Sequence, residues 1–328
     1  MVWGNTVEGT TLAKATRSIR EVLMTTDFTK GIAFINGTWV AIEDARIPLL
    51  DWGFLRSDAN QDTISVWQGI FFRLDDHLAR FSRNIAKLRM IGEFDAEARR
   101  AIVFECVRRT GFRDAFVQMI MTRGRPPIGV RDPRLCANQF YAFCVPYMWV
   151  ATPEQQEHGL HLHVSGIHRV PPDSVDPTIK HYHWLDFEMG LFEAYDGGAD
   201  TVVLTDAEGN ITEGPGFNIF AVVGGTVITP DSGVLDGMTR RTVFELCAET
   251  NLVHREEPLP AARLKTADEV FLSTTAGGLI PITTIDGRPV GDGTPGPATW
   301  RLRGLYWQKR ESGWYGIPAE YDEKTPPV

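Results

Sequence analysis

Two stretches decide how this chain is read: residues 176–184, DPTIKHYHW, and residues 212–220, TEGPGFNIF. In the first, Lys180 stands between a proline-rich loop (Pro171, Pro172, Pro177) and a segment at 184–196 whose pattern predicts a helix. It is isolated in sequence: the chain has seven lysines, and Lys180 is the only one between Lys87 and Lys265. A lysine becomes a nucleophile when burial or a neighbouring cation lowers its pKa; a solvated surface lysine is the alternative. In the second stretch, Glu213 precedes a Gly-Pro-Gly turn that feeds an apolar strand expected at 217–222. Glycines let a backbone approach a ligand closely. A carboxylate held at a strand entrance can pair with a protonated ring nitrogen, and an exposed turn glutamate is the alternative.

Three further motifs surround these two. LDGMTRRTV, residues 235–243, places Gly237, Met238 and Thr239 at a helix start, where free N–H groups and the dipole suit a phosphate; Thr239 is equally readable as a plain N-cap. FLSTTAGG, residues 271–278, ends a strand in hydroxyls and two glycines, a second possible phosphate cradle. Arg80 in DDHLARF lies off the Leu78, Phe81, Ile85 stripe of its helix, facing either a cleft or solvent. Together the motifs supply a lysine, a carboxylate, an arginine and two hydroxyl-bearing glycine turns. That set can hold a phosphorylated pyridine aldehyde as a Schiff base.

Around the motifs the chain reads as α+β in two domains, as 328 residues suggest. An N-terminal α/β domain is expected over 1–147. It opens on a hairpin at 31–43 around Asn36-Gly37, followed by helices at 75–90 and 95–110 and strands at 115–123 and 139–145. Asp95 is the expected N-cap and Gly111 the expected stop of the second helix. Residues 148–160 read as a linker and 161–328 as a second, cofactor-binding domain. The second domain has strands near 160–168, 201–205, 217–222, 226–229 and 269–273, and helices at 239–251 and 297–309.

The net charge of −9 argues against nucleic acid as a partner. No apolar run is long enough to span a membrane and no signal-peptide pattern opens the chain, so a cytoplasmic protein is expected. The four cysteines form no CxxC pair and read as reduced, mostly buried thiols. His161 and His163 share a strand face, but no carboxylate or cysteine sits at ligand spacing, so no metal site is read there. His181 and His183 flank Lys180 as possible wall residues. Asp75-Asp76 opens a helix, where acidic residues favour the dipole.

In their order and spacing these motifs resemble the class IV, or fold type IV, pyridoxal-phosphate aminotransferases. The resemblance runs from about Gly31 to Trp307 and is strongest to the (R)-selective amine transaminases, through DWGFLRSD, SVWQG, FFRLDDH, TEGPGFN, TTAGG and PITTIDG. It implies a smaller N-terminal α/β domain and a larger, barrel-like C-terminal one. It implies pyridoxal 5'-phosphate as cofactor, Lys180 as the catalytic Schiff-base lysine and proton shuttle, and Glu213 on the pyridine nitrogen. Arg80, Thr239 and Thr275 would hold the phosphate, with backbone help from Met238 and Thr239. Phe116 and Trp184 match pocket walls, and Thr274 and Ala276 are carried over as substrate contacts beside Thr275. Arg131 matches a mobile arginine for the keto acid carboxylate. Arg56 matches a pocket position on a loop that reaches the neighbouring subunit's site, so a homodimer with active sites at its interface is implied.

Two positions depart from the amine transaminases. Gln61 replaces a usual tyrosine and Gln118 a usual glutamate, and the loop before Arg131 is about two residues longer. Two amides in the pocket imply a more polar donor than an aryl-alkyl amine. The implied activity is amino transfer from a primary amine, (R)-configured by resemblance, or an amino acid to a keto acid such as pyruvate. Branched-chain or D-amino acid transamination and an aminodeoxychorismate lyase-like reaction on the same scaffold are the alternatives. A non-catalytic phosphate-ligand binder is the third.

Overall fold

Asn36 and Gly37 both take positive φ, 51° and 78°. This is the geometry of a type I′ turn, and it closes the expected hairpin between β1 (Ile32–Ile35) and β2 (Thr38–Ala41). The computed structural model describes residue 27 and residues 29–321. The chain divides into two compact units. One runs from Asp27 to Met148 and takes in Ile179–His183 and the tail from Gly313; the other holds Trp149–Thr178 and Trp184–Ser312.

In the first unit β1 and β2 are followed by α1 (Trp52–Arg56), β3 (Ala59–Trp67), β4 (Ile70–Phe72), α2 (Leu74–Lys87), α3 (Ala96–Thr110), β5 (Ala115–Arg125) and β6 (Ala137–Pro146). Helix α2 buries Leu74, Leu78, Phe81 and Ile85, and opens on Asp75 and Asp76. Helix α3 is capped by Asp95, which accepts from Ala98 N at 2.8 Å, and stops at Gly111 with φ 70°. Strands β3 and β4 were not expected from sequence. β3, ANQDTISVW, is buried nearly throughout and carries polar residues on both faces. Its alternation is therefore masked.

The second unit begins where a linker was expected. Residues 148–160 carry α4 (Pro153–His158), with a capping box between Thr152 and Gln155. Then come β7 (Leu160–His168), α5 (Leu185–Asp196), β8 (Thr201–Thr205), β9 (Asn218–Val223), β10 (Thr226–Thr229), α6 (Met238–Glu249) and β11 (His254–Glu256). The unit ends in α7 (Ala261–Leu264), β12 (Glu269–Thr274), β13 (Gly278–Ile285), β14 (Arg288–Pro289) and α8 (Pro297–Glu311). Its mixed sheet runs β11-β10-β9-β12-β13-β7-β8, with β14 paired to β13. Leu162, Val203, Ile219, Leu272 and Ile280 form its core.

The chain then returns to the first unit as β15 (Gly316–Pro318). This completes a seven-stranded antiparallel sheet in the order β15-β4-β3-β5-β6-β1-β2. Ile64, Val117, Met119 and Met121 from this sheet pack with Phe81, Val103 and Cys106 from the helices. All four cysteines are free, and Cys106, Cys144 and Cys247 are buried. Burial pushes the Cys144 and Cys247 thiols up to about 12. Among the described residues no helix is long and apolar enough to cross a membrane.

Candidate active site

The unexpected strand β3 brings together the expected site residues of the first unit. β4 pairs only with Val66 and Trp67 of β3, which leaves the rest of that edge open. Residues 179–183 lie along it: Asn60 bridges His181, and Gln61 N donates to Lys180 O at 2.8 Å. Lys180 therefore sits opposite Gln61. On the other side β5 pairs with β3, Thr63 facing Gln118 and Ser65 facing Phe116. Gln118 Nε2 donates to Tyr182 Oη at 2.7 Å and reaches Gln61 Oε1 at 3.4 Å. Gln61, Phe116, Gln118 and Lys180, four of the expected residues, are thus gathered on one strand pair and its added edge.

Beneath them lies a buried charge cluster. Arg80 donates to Asp62 from Nε and from Nη2, and His77 Nδ1 meets Asp62 Oδ1 at 2.7 Å. Burial alone would raise the Asp62 carboxyl; Arg80, and then His77, outweigh it and hold the group well below the usual carboxylate range. Burial lowers His77 against the pull of Asp62, and the nearby cations Arg80 and Lys180 add to the effect. His77 is therefore neutral at neutral pH. Neither Asp62 nor His77 was singled out from sequence. One signal was available, since His77 and Arg80 are spaced i, i+3 on one helix face.

In the second unit the expected residues gather around the Gly-Pro-Gly turn. Glu213 is buried, and its Oε2 accepts from Leu235 N at 2.8 Å, tying the turn to the approach of α6. Gly214 and Phe217 exchange backbone hydrogen bonds across the turn. A Cβ on Gly214 would stand 2.1 Å from the Phe217 ring and 2.4 Å from Val202 O. Thr274 Oγ1 donates to Gly216 O at 3.0 Å and accepts from Ala276 N at 3.1 Å, which brings the β12–β13 turn with Thr275 alongside. Trp184 is 3.8 Å from the Cβ position of Gly216. Helix α6 starts at Met238 and Thr239, both buried, with Gly237 at the N-cap and no side chain capping it. Its first N–H groups are suited to an anion.

Arg56 and Arg131 are placed differently. Arg56 is exposed at the end of α1, its guanidinium 3.4 Å from the Trp52 ring centroid. Arg131 is exposed in the turn after β5. No described contact joins either to the other expected residues of its unit. His161 and His163 serve the fold: Gly287 N donates to His161 Nε2, and His163 Nδ1 meets Asp286 Oδ1 at 2.8 Å.

The chain thus supplies a half-buried lysine, a clamped arginine, a buried carboxylate and an uncapped helix start. These suit a phosphate-bearing cofactor with a basic ring nitrogen. Comparison with known proteins agrees. The family model for class IV amino-transferases matches residues 61–285. A relative from Methanocaldococcus jannaschii is 31% identical over 88% of this chain and 99% of its own length; its naming as a branched-chain-amino-acid aminotransferase is provisional. The D-alanine aminotransferase of Bacillus licheniformis is 27% identical over 80% of this chain and 92% of its own. A T.th. branched-chain amino acid aminotransferase, solved with pyridoxamine 5'-phosphate, superposes with a TM-score of 0.83. It is 26% identical and covers 90% of this chain and all of its own. With most of its length matched by the family model and its fold shared with solved members, the chain belongs to the class IV aminotransferases and is a pyridoxal-phosphate-dependent transaminase of fold type IV.

Proposed function

We propose that Lys180 is the amine that binds pyridoxal phosphate covalently, and that the enzyme passes an amino group from a polar primary amine or amino acid to a keto acid such as pyruvate. The observation that carries this is the Gln61 N to Lys180 O hydrogen bond at 2.8 Å. It pins the lysine backbone against β3, within electrostatic reach of the buried Asp62, His77 and Arg80 cluster. Bound pyridoxal phosphate would supply the electron sink that lets a proton leave the substrate's Cα. Lys180 Nζ would take that proton as base and deliver one to C4′ as acid. Glu213 offers a buried carboxylate to the ring nitrogen. Arg80, Thr239 and Thr275, with the N–H groups of Met238 and Thr239, hold the phosphate. The fit rests on charge and access: Arg80 is cationic and fixed by Asp62, and the start of α6 has no side-chain cap.

Phe116, Trp184, Thr274 and Ala276 form substrate walls in this reading, and Arg56 and Arg131 receive the keto acid's carboxylate. Gln61, Gln118 and Tyr182 favour a donor with a hydrogen-bonding group, and an (R)-configured amine follows from the resemblance described above. A branched-chain or D-amino acid donor is the second reading, favoured by the names of the relatives. Keto acid dependence distinguishes both from a lyase, which needs no amino acceptor. A homodimer with sites at its interface is supported by the exposed Leu49, Leu50, Phe54 and Leu55 around α1, and light scattering tests it. A cytoplasmic location accords with the free cysteines.

The test of Lys180 is chemical. Borohydride treatment of the yellow holoenzyme, followed by peptide mass analysis, should find the reduced cofactor on Lys180. Lys180→Ala protein that is still fixed by borohydride and still transaminates would end this reading.

A further inference from the structure

Glu213 belongs to a buried trio. Arg169, one residue past β7, is 6% exposed. Its Nη1 donates to Asp186 Oδ2 at 2.7 Å, and its Nη2 lies 3.6 Å from Glu213 Oε1. Both carboxylate side chains are 8% exposed, so neither charge is screened well by water. The guanidinium carbon is 4.1 Å from the Phe187 ring centroid, which covers one of its faces. Asp186 is fixed in turn: Oδ2 also accepts from Val170 N at 3.0 Å, and Oδ1 accepts from Phe187 N at 2.9 Å.

Two distances set the balance. The arginine is bonded to Asp186 at charge-assisted hydrogen-bond length and stands off from Glu213 by almost an ångström more. Asp186 therefore anchors the guanidinium, and Glu213 lies at the arginine's other amino group with its Oε2 tied to Leu235 N, so both ends of the Glu213 carboxylate are bounded by fixed groups.

We propose that Arg169 is a positioning residue for the cofactor, orienting Glu213 toward the ring nitrogen from its own anchor on Asp186. This rests on the reading of Glu213 given above. Arg169 touches neither substrate nor reacting atoms in this role; it acts through the carboxylate.

The test compares pyridoxal phosphate with its 1-deaza analogue, in which carbon replaces the ring nitrogen. Each is titrated into cofactor-free full-length protein, with bound-cofactor absorbance as the readout. Wild-type protein should prefer the natural cofactor. Arg169→Met should weaken natural cofactor binding about tenfold, through a Glu213 carboxylate no longer held in place, and leave the analogue within about twofold. Arg169→Lys should recover part of the preference. A loss equal for both cofactors would make Arg169 a fold residue only and overturn the proposal; no loss for either would do the same. If the methionine variant does not fold, the lysine variant carries the comparison at about threefold. Glu213→Gln separates the two claims. If it keeps the wild-type preference, the reading of Glu213 has failed. If it abolishes the preference while Arg169→Met does not, only the role of Arg169 has failed.

Discussion

Arg80 meets Asp62 through two parallel hydrogen bonds, Nε to Oδ2 and Nη2 to Oδ1, each 2.8 Å. The pair joins α2 to β3 inside the first unit and is nearly inaccessible to solvent, with side chains 3% and 0% exposed. Such a bidentate fork fixes the guanidinium plane as well as its position. An arginine held this way can present its outer edge to an anion without losing side-chain freedom on binding.

Removing one partner should therefore be severe. Asp62→Ala leaves Arg80 and His77 buried against an empty place, and breaking a buried ion pair from one side costs about 3–5 kcal/mol. Urea denaturation of Asp62→Ala, Arg80→Met and the double variant measures it. The double variant should be more stable than the sum of the single losses predicts, because it leaves no orphaned charge. Additive losses would contradict the coupling.

His77 makes the stability depend on pH in a definite window. Its folded pKa is lowered from 6.5, chiefly by burial. Below about pH 6.5 the unfolded chain takes up a proton that the folded one refuses, so stability falls as pH drops through that value and levels below the folded pKa. Asp62 behaves differently: its folded pKa is depressed below 3.8, so its contribution is intact above that value and is lost only as pH falls further. His77→Gln should flatten the stability curve between about pH 7.5 and 5 and leave the acid limb in place. A wild-type curve already flat across that interval would contradict a neutral buried His77.

What the sequence reveals and hides follows from the same residues. The hairpin at Asn36-Gly37, the capped helix at Asp95 and the Gly-Pro-Gly turn are local, and their residues have few other conformational options. β3 was hidden because the residues that make it useful, Asn60, Gln61 and Asp62, break the apolar alternation that marks a strand. β13, GLIPITTI, is hidden for the opposite reason, being largely apolar on both faces and carrying a proline. The trio of Arg169, Asp186 and Glu213 could not be read in advance, since 17 residues separate Arg169 from Asp186 and no periodicity links the three. Tyr182 stands two residues from Lys180, but its partner Gln118 is 64 positions away, so no local pattern marks it.

Two glycines should respond to alanine with opposite sign. At Gly214 the added methyl would overlap the Phe217 ring and Val202 O. Gly214→Ala should destabilise by about 1–3 kcal/mol and, by displacing Glu213, weaken cofactor binding. At Gly304, inside α8, no packed neighbour beyond the local helix backbone lies within 4 Å of the Cβ position. Gly304→Ala should stabilise by about 0.5–1 kcal/mol through lower unfolded-state entropy and better helix propensity. Thermal unfolding with and without cofactor checks both, and a tolerated Gly214→Ala would mean that the turn relaxes where the packing says it cannot.

Donor choice should depend on the pair Gln118 and Tyr182. Gln118 Nε2 spends one hydrogen bond on Tyr182 Oη, and burial, against the lowering effect of that bond, pushes the Tyr182 phenol up. The hydroxyl therefore stays protonated through the neutral range. Its lone pair is engaged by Gln118, so its proton is available to a polar group on the donor. A site built to hydrogen-bond a substrate discriminates strongly against one lacking the group, because its own polar atoms are then left unpaired. Tyr182→Phe should lower kcat/KM for a hydroxyl- or carboxylate-bearing amine by about tenfold or more, and change that for an aryl-alkyl amine by less than about threefold. Gln118→Leu should act in the same direction, since it removes the group that orients the phenol. Equal losses for both donor classes would assign the pair to the fold and leave donor choice to other residues.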